Sequence, residues 1–134
     1  IEPKLGLARP VFVYDYPAQM TSLSRLCVDT RYAQRFELYV GGLELANAFG
    51  ELTDAAEQKK RLEEDEKKRK QLGKETWPVD PDFINALAAL PARALAGAGG
   101  IALGVDRMVL LFTGAKDLNE AIFQSVRDQL ENNS

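Results

Sequence analysis

Arg35-Phe36-Glu37-Leu38-Tyr39-Val40-Gly41-Gly42-Leu43-Glu44-Leu45-Ala46-Asn47-Ala48-Phe49 sets two runs of apolar and polar residues on either side of a glycine pair. Arg35 to Val40 and Leu43 to Phe49 are strand-like runs, and Gly41-Gly42 between them supplies the positive φ angles of a two-residue hairpin turn. Pairing across such a turn sets Val40 opposite Leu43, Tyr39 opposite Glu44, Leu38 opposite Leu45 and Glu37 opposite Ala46. Phe36, Leu38, Val40, Leu43 and Leu45 then form an apolar face, with Arg35, Glu37, Tyr39 and Glu44 on the other. Glu37 and Glu44 become diagonal neighbours.

Working outward, Val11 to Tyr14 reads as a short buried strand closed by Asp15-Tyr16-Pro17. After the hairpin, Thr53 or Asp54 is placed to cap a helix that runs to about Leu72 and ends near Gly73. Four acid-before-base pairs at a spacing of four, Glu63 with Lys67, Glu64 with Lys68, Asp65 with Arg69 and Glu66 with Lys70, predict a solvated, self-supporting helix there. Asp80 with Pro81 starts a second helix through about Leu90, stopped by Pro91. The stretch from Ala92 to Gly100 is made of small residues. Ile101-Ala102-Leu103 reads as a buried strand that passes through Gly104 into a helix from Asp106 to Phe112. The tail from Leu118 to Leu130 reads as a short segment followed by a helix. Together these predict one α+β domain over residues 1–134, an antiparallel sheet with helices covering one face.

Composition narrows the chemistry. The chain has 134 residues, 46% hydrophobic and 28% charged, the balance of a globular protein. No apolar run approaches the ~20 residues of a membrane helix, and the start lacks a signal-peptide pattern, so a cytoplasmic protein with no membrane partner is expected. With no histidine, Ser-His-Asp and Cys-His catalysis and His-ligated zinc are excluded, so a bound metal must use oxygen ligands. The lone Cys27 is expected to be half-buried packing. A net charge of -3 argues against nucleic-acid binding by bulk charge.

Two constellations are able to carry chemistry. Glu37 and Glu44 brought together on one face repel unless solvent screens them or a cation lies between them. Magnesium suits such a pair, since it takes one or two carboxylates and fills its other positions with water and phosphate. An exposed sheet face simply coated by both glutamates is the other reading, and the hairpin alone leaves both open. Plain alternation would place Asn47, Phe49 and Glu51 on the apolar side. A bulge near Leu45 or Ala46 would turn them toward the glutamates, offering an amide, an aromatic wall and a carboxylate to a small zwitterion with a distant ammonium group. If the strand ends at Ala46 they are loop residues. The second constellation is Gly99-Gly100-Ile101-Ala102-Leu103-Gly104-Val105-Asp106-Arg107, where glycines, a helix start and an arginine suit a polyphosphate. An Asp-Arg pair at a helix start is also a common structural feature. Gly97-x-Gly99-x-x-Ala102 imitates a dinucleotide fingerprint, but it precedes a strand instead of following one.

These residues resemble the class II lysyl-tRNA synthetases, and more closely their paralogous family of elongation factor P lysyltransferases, over roughly Pro10 to Phe123. Arg35-Phe36-Glu37 and Gly42 through Ala55 are similar to the family's active-site hairpin, and Gly100 to Arg107 to class II motif 3. The resemblance implies that Glu37 and Glu44 bind magnesium and ATP, and that Gly104 lines the nucleotide site. It makes Arg107 the catalytic residue on the γ-phosphate, and it gives Asn47, Phe49, Glu51 and Ala102 to the amino-acid pocket, with Glu51 on the side-chain ammonium. Glu44-Leu45-Ala46-Asn47 and Gly100-Ile101-Ala102-Leu103-Gly104 carry alanines of the lysyltransferase type, and the methyl of Ala102 bears on which lysine isomer fits. Tyr14-Asp15-Tyr16-Pro17 resembles the same branch.

Motifs 1 and 2 of the class are absent, so the chain is expected to be the C-terminal part of a catalytic domain whose parent is a homodimer, and to be inactive alone. The implied activity of the parent is ATP- and Mg2+-dependent activation of lysine or β-lysine as an aminoacyl-adenylate, with transfer to a lysine of elongation factor P. Charging of tRNA with lysine is the alternative, and a non-catalytic binding module or inert fragment is the alternative of another class.

Overall fold

The computed structural model describes residues 1–91 and 97–122. Strands β1 (Val11–Pro17), β2 (Tyr32–Val40), β3 (Leu43–Gly50) and β4 (Gly99–Leu103) form one antiparallel sheet in the order β1-β2-β3-β4. Among the described residues the α-helices are α1 (Ala55–Gln71), α2 (Pro81–Ala88) and α3 (Val105–Thr113). This is the α+β architecture expected. The chain divides into two compact units, one built from Ile1–Val13, Glu37–Asn47 and the chain from Ile101, the other from Tyr14–Phe36 and Ala48–Gly100.

Within the first unit the hairpin turn is held from outside. Gly41 and Gly42 have φ of 60° and 80°, the double left-handed geometry of a type I′ turn. Their amides donate to the carbonyls of Gly6 at 2.8 Å and Leu5 at 2.9 Å, so the N-terminal segment fixes the turn. Gly6 is itself required there, because a Cβ on it would collide with the Tyr39 carbonyl oxygen.

At the open end of the hairpin Arg25 bridges the two strands: its N–H donates to the Gly50 carbonyl at 2.7 Å, and its carbonyl accepts from the Gln34 N–H at 2.7 Å. A Cβ on Gly50 would fall 2.9 Å from the Gln34 Cβ, and Arg35 lies over the Phe49 ring. On the other side of β3, Gly104 N–H donates to Leu45 and Glu51 N–H to Ala98, pairs six residues apart on either strand. Leu45 and Ala46 are buried in succession.

Two strands read as buried are edge strands. Phe12 and Tyr14 of β1 and Ile101 and Leu103 of β4 are all more than half exposed. A short apolar run looks the same in sequence whether a neighbour covers it or not, and β1 and β4 are the outer strands of the sheet.

In the second unit, α1 starts as predicted, with the Asp54 carboxylate accepting from the amides of Ala56 and Glu57, and Gly73 follows its end at φ 66°. It is less solvated than its charge suggests. Gln58 is buried and donates to the Ser22 carbonyl at 3.1 Å, and Arg61 donates to the Ser24 carbonyl at 2.9 Å. Of the four expected pairs, Glu66 meets Lys70 at 2.6 Å, whereas Asp65 engages Lys68 and the Ser22 hydroxyl. Arg69 lies over the Trp77 ring. Asp80 caps α2 through the Asp82 amide, and that helix stops at Ala88, short of Leu90. Leu118–Glu120 is a single 3-10 turn. The helix expected toward Leu130 and residues 92–96 of the small-residue stretch lie outside the described residues. No helix among the described residues is long and apolar enough to cross a membrane.

Cys27 is half-buried as expected. Burial, then the charge and hydrogen bond of Asp15, then the charge of Asp29, push its thiol above the ordinary value. Near neutral pH it should therefore react with a thiol reagent more slowly than a free cysteine peptide, and a rate equal to the peptide's would contradict this packing.

The turn yields a stability test. A Cβ on Gly42 would meet the Pro3 carbonyl oxygen at 2.8 Å, whereas Gly73, also at positive φ, has nothing within 4 Å. Gly73→Ala should cost about 1 kcal/mol and Gly42→Ala about 2–3 kcal/mol in urea unfolding. Equal losses would show that the N-terminal segment does not press on the turn.

Candidate functional site

Arg107 is carried on the first turn of α3, a helix whose N-cap, Gly104, makes no side-chain capping bond. The Gly104 amide is committed to the Leu45 carbonyl at 2.8 Å, so this residue donates nothing to a ligand. Its role is spatial. A methyl on Gly104 would lie 3.3 Å from Arg107 Cδ, and its absence lets the arginine stem fold back toward β3. There Arg107 Nη1 donates to the Glu44 carbonyl at 2.7 Å and lies 3.4 Å from the Glu44 carboxylate.

Tyr39, Glu44 and Arg107, with Glu2 and Pro3, line a cavity of about 220 Å³. Glu37 reaches this wall through Tyr39, whose hydroxyl donates to its carboxylate at 2.7 Å. Glu37 is only 7% exposed, which rules out a pair of glutamates that merely coats a solvated face. By the β3–β4 register, Asn47 stands opposite Ala102.

Phe49 and Glu51 belong to the second unit. The Glu51 amide donates to Ala98 at 3.0 Å, and its carboxylate lies so close over Gly100 that a Cβ there would collide with Oε1. Gly100 is thus fixed by the side chain it carries across the strand. The Phe49 ring packs against Arg35. The expected site residues therefore fall as Glu37, Glu44, Asn47, Ala102, Gly104 and Arg107 in the first unit, and Phe49 and Glu51 in the second.

Two residues of the arrangement escaped the sequence reading in this role. Tyr39 was assigned only to a face, although its position two residues from Glu37 on a strand already placed the two side chains together. Arg35 is placed by the sequence only on the polar face of the hairpin, and no local pattern announces its stacking. Roomier cavities, about 470 Å³ between α1 and α2 and about 490 Å³ beside Trp77, contain none of the expected site residues.

Among the described residues no group of three or more Asp, Glu, Cys or His is placed to hold a metal ion. A metal here would have two carboxylates at most and would take its remaining oxygens from a bound ligand. That donor set fits magnesium carried on a polyphosphate and does not fit a dedicated protein cage.

The model of the family "tRNA synthetases class II (D, K and N)" matches residues 4–126. Proteins named "Elongation factor P--(R)-beta-lysine ligase" from Salmonella heidelberg, Salmonella agona and Salmonella gallinarum are each 46% identical over 123 residues, 91% of this chain. The chain spans 37% of the length of these curated relatives. With nearly all of its residues inside the family match, and with the hairpin and helix start that carry the family's residues folded as described, the chain belongs to the class II tRNA synthetases of the D, K and N group.

Proposed function

We propose that this chain is the C-terminal part of the catalytic domain of a cytoplasmic, homodimeric enzyme that activates lysine or β-lysine with ATP and passes it to a lysine of elongation factor P. The observation that carries the reading is Arg107 drawn across to Glu44 at the edge of a cavity, with the buried Glu37–Tyr39 pair behind it. The names of the relatives support the acceptor, and their greater length supports a larger parent.

In this reading Glu44 and Glu37 hold magnesium bound to the triphosphate, and the ion supplies charge neutralisation of the phosphates. Arg107 exchanges the Glu44 carboxylate for the γ-phosphate, while its hydrogen bond to the Glu44 carbonyl keeps the guanidinium beside β3. Such a move is cheap, since a half-exposed ion pair contributes only about 0–1 kcal/mol. Gly104 keeps the arginine stem close to β3. Asn47 and Ala102 meet the amino acid, as do Phe49 as an aromatic wall and Glu51 as acceptor for the side-chain ammonium. Catalysis is then positioning and electrostatics, with no covalent bond to the protein.

ATP–pyrophosphate exchange by the full-length enzyme with α-lysine and β-lysine, followed by transfer assays to elongation factor P and to tRNA, tests the whole reading. Exchange with strict α-lysine preference and tRNA charging would replace it by the synthetase alternative. No exchange and no ATP binding would leave only a non-catalytic module.

The glutamates are tested one at a time. Glu37→Gln and Glu44→Gln in the full-length enzyme should each weaken Mg2+-dependent ATP binding by about tenfold or more, the loss of a charge-assisted interaction. Unfolding temperature should move little for Glu44→Gln, whose side chain is one-third exposed. Unchanged affinity in both variants would remove the glutamates from the site.

Gly100→Ala forces the Glu51 carboxylate to shift and should raise the amino-acid KM while leaving the ATP KM close to its original value. Gly97→Ala is the control, because a Cβ there has nothing within 4 Å. If the two substitutions behave alike, the position of Glu51 is not tied to Gly100.

A further inference from the structure

We infer that Arg35 is a positioning residue for the amino-acid site, acting by clamping the ring of Phe49. The inference rests on the proposed placement of Phe49 against the amino acid, and it adds a residue that this reading does not otherwise use. The Arg35 guanidinium carbon lies 4.4 Å from the centre of the Tyr16 ring and 5.5 Å from that of Phe49, and Nη1 donates to the Met20 carbonyl at 3.3 Å. One planar cation is thus tied to a backbone carbonyl and set against two rings.

A phenylalanine ring is oriented only by packing, because it has no polar atom to anchor it. A cation over its face is attracted by the ring quadrupole and limits its tilt, while the planar guanidinium adds stacking contact that an ammonium does not reproduce. Arg35 is itself anchored by Tyr16 and Met20, which lie in the segment between β1 and β2. It therefore transmits the position of that segment to β3.

The test uses the full-length enzyme with Arg35→Lys, Tyr16→Leu, Phe49→Leu and the double variant Arg35→Lys with Phe49→Leu, read by amino-acid-dependent ATP–pyrophosphate exchange. Arg35→Lys and Tyr16→Leu should each raise the amino-acid KM by about fivefold, the scale of one cation–π contact, with the ATP KM unchanged. In the Phe49→Leu background Arg35→Lys should add no further rise, because the ring it positions is gone. A merely structural role would lower the unfolding temperature and raise both KM values together. That outcome, or a rise that adds in full to the Phe49→Leu effect, overturns the inference. Should Arg35→Lys fail to fold, Tyr16→Leu reads the same clamp from its other side. Normal exchange by the unaltered enzyme with no change in Arg35→Lys or Tyr16→Leu sinks the clamp alone. Absence of amino-acid-dependent exchange in the unaltered enzyme removes the proposed function, and the clamp with it.

Discussion

The bond from Arg107 Nη1 to the Glu44 carbonyl, 2.7 Å long, ties the first turn of α3 to β3. The side-chain ion pair at 3.4 Å is long and half-exposed, worth little alone, so the backbone bond decides where the guanidinium rests. A backbone partner does not move when a side chain rotates. Arg107 is therefore held beside Glu44 by the path of the strand.

The second constraint is the burial of Glu37. An ionised carboxylate removed from water costs several kcal/mol unless hydrogen bonds replace its hydration. Tyr39 provides one such bond at 2.7 Å and is itself buried, so the pair is rigid from both ends.

Much of this was legible from the chain. Gly41-Gly42 between alternating runs announced the turn, because only glycine takes two successive positive φ angles cheaply, and Asp54 with Gly73 marked both ends of α1. The exposure of β1 and β4 was illegible, because a run such as Ile101-Ala102-Leu103 carries no mark of which neighbour it lacks. Nor could spacing reveal that Arg107 meets Glu44 across 63 residues, or that Gly6 must be a glycine to approach Tyr39. Long-range contacts leave no local pattern, and here only the family resemblance pointed to the first of them.

The β4 sequence Gly100-Ile101-Ala102-Leu103-Gly104 gains a physical meaning from its register against β3. Its small residues stand at alternate positions, and each is small for a different reason. Gly104 leaves room for the Arg107 stem and Gly100 for the Glu51 carboxylate, so a methyl at either would displace a charged group. Ala102, opposite Asn47, already carries a methyl and has no such clash. Of the three it is the position at which neither of those charged side chains limits size.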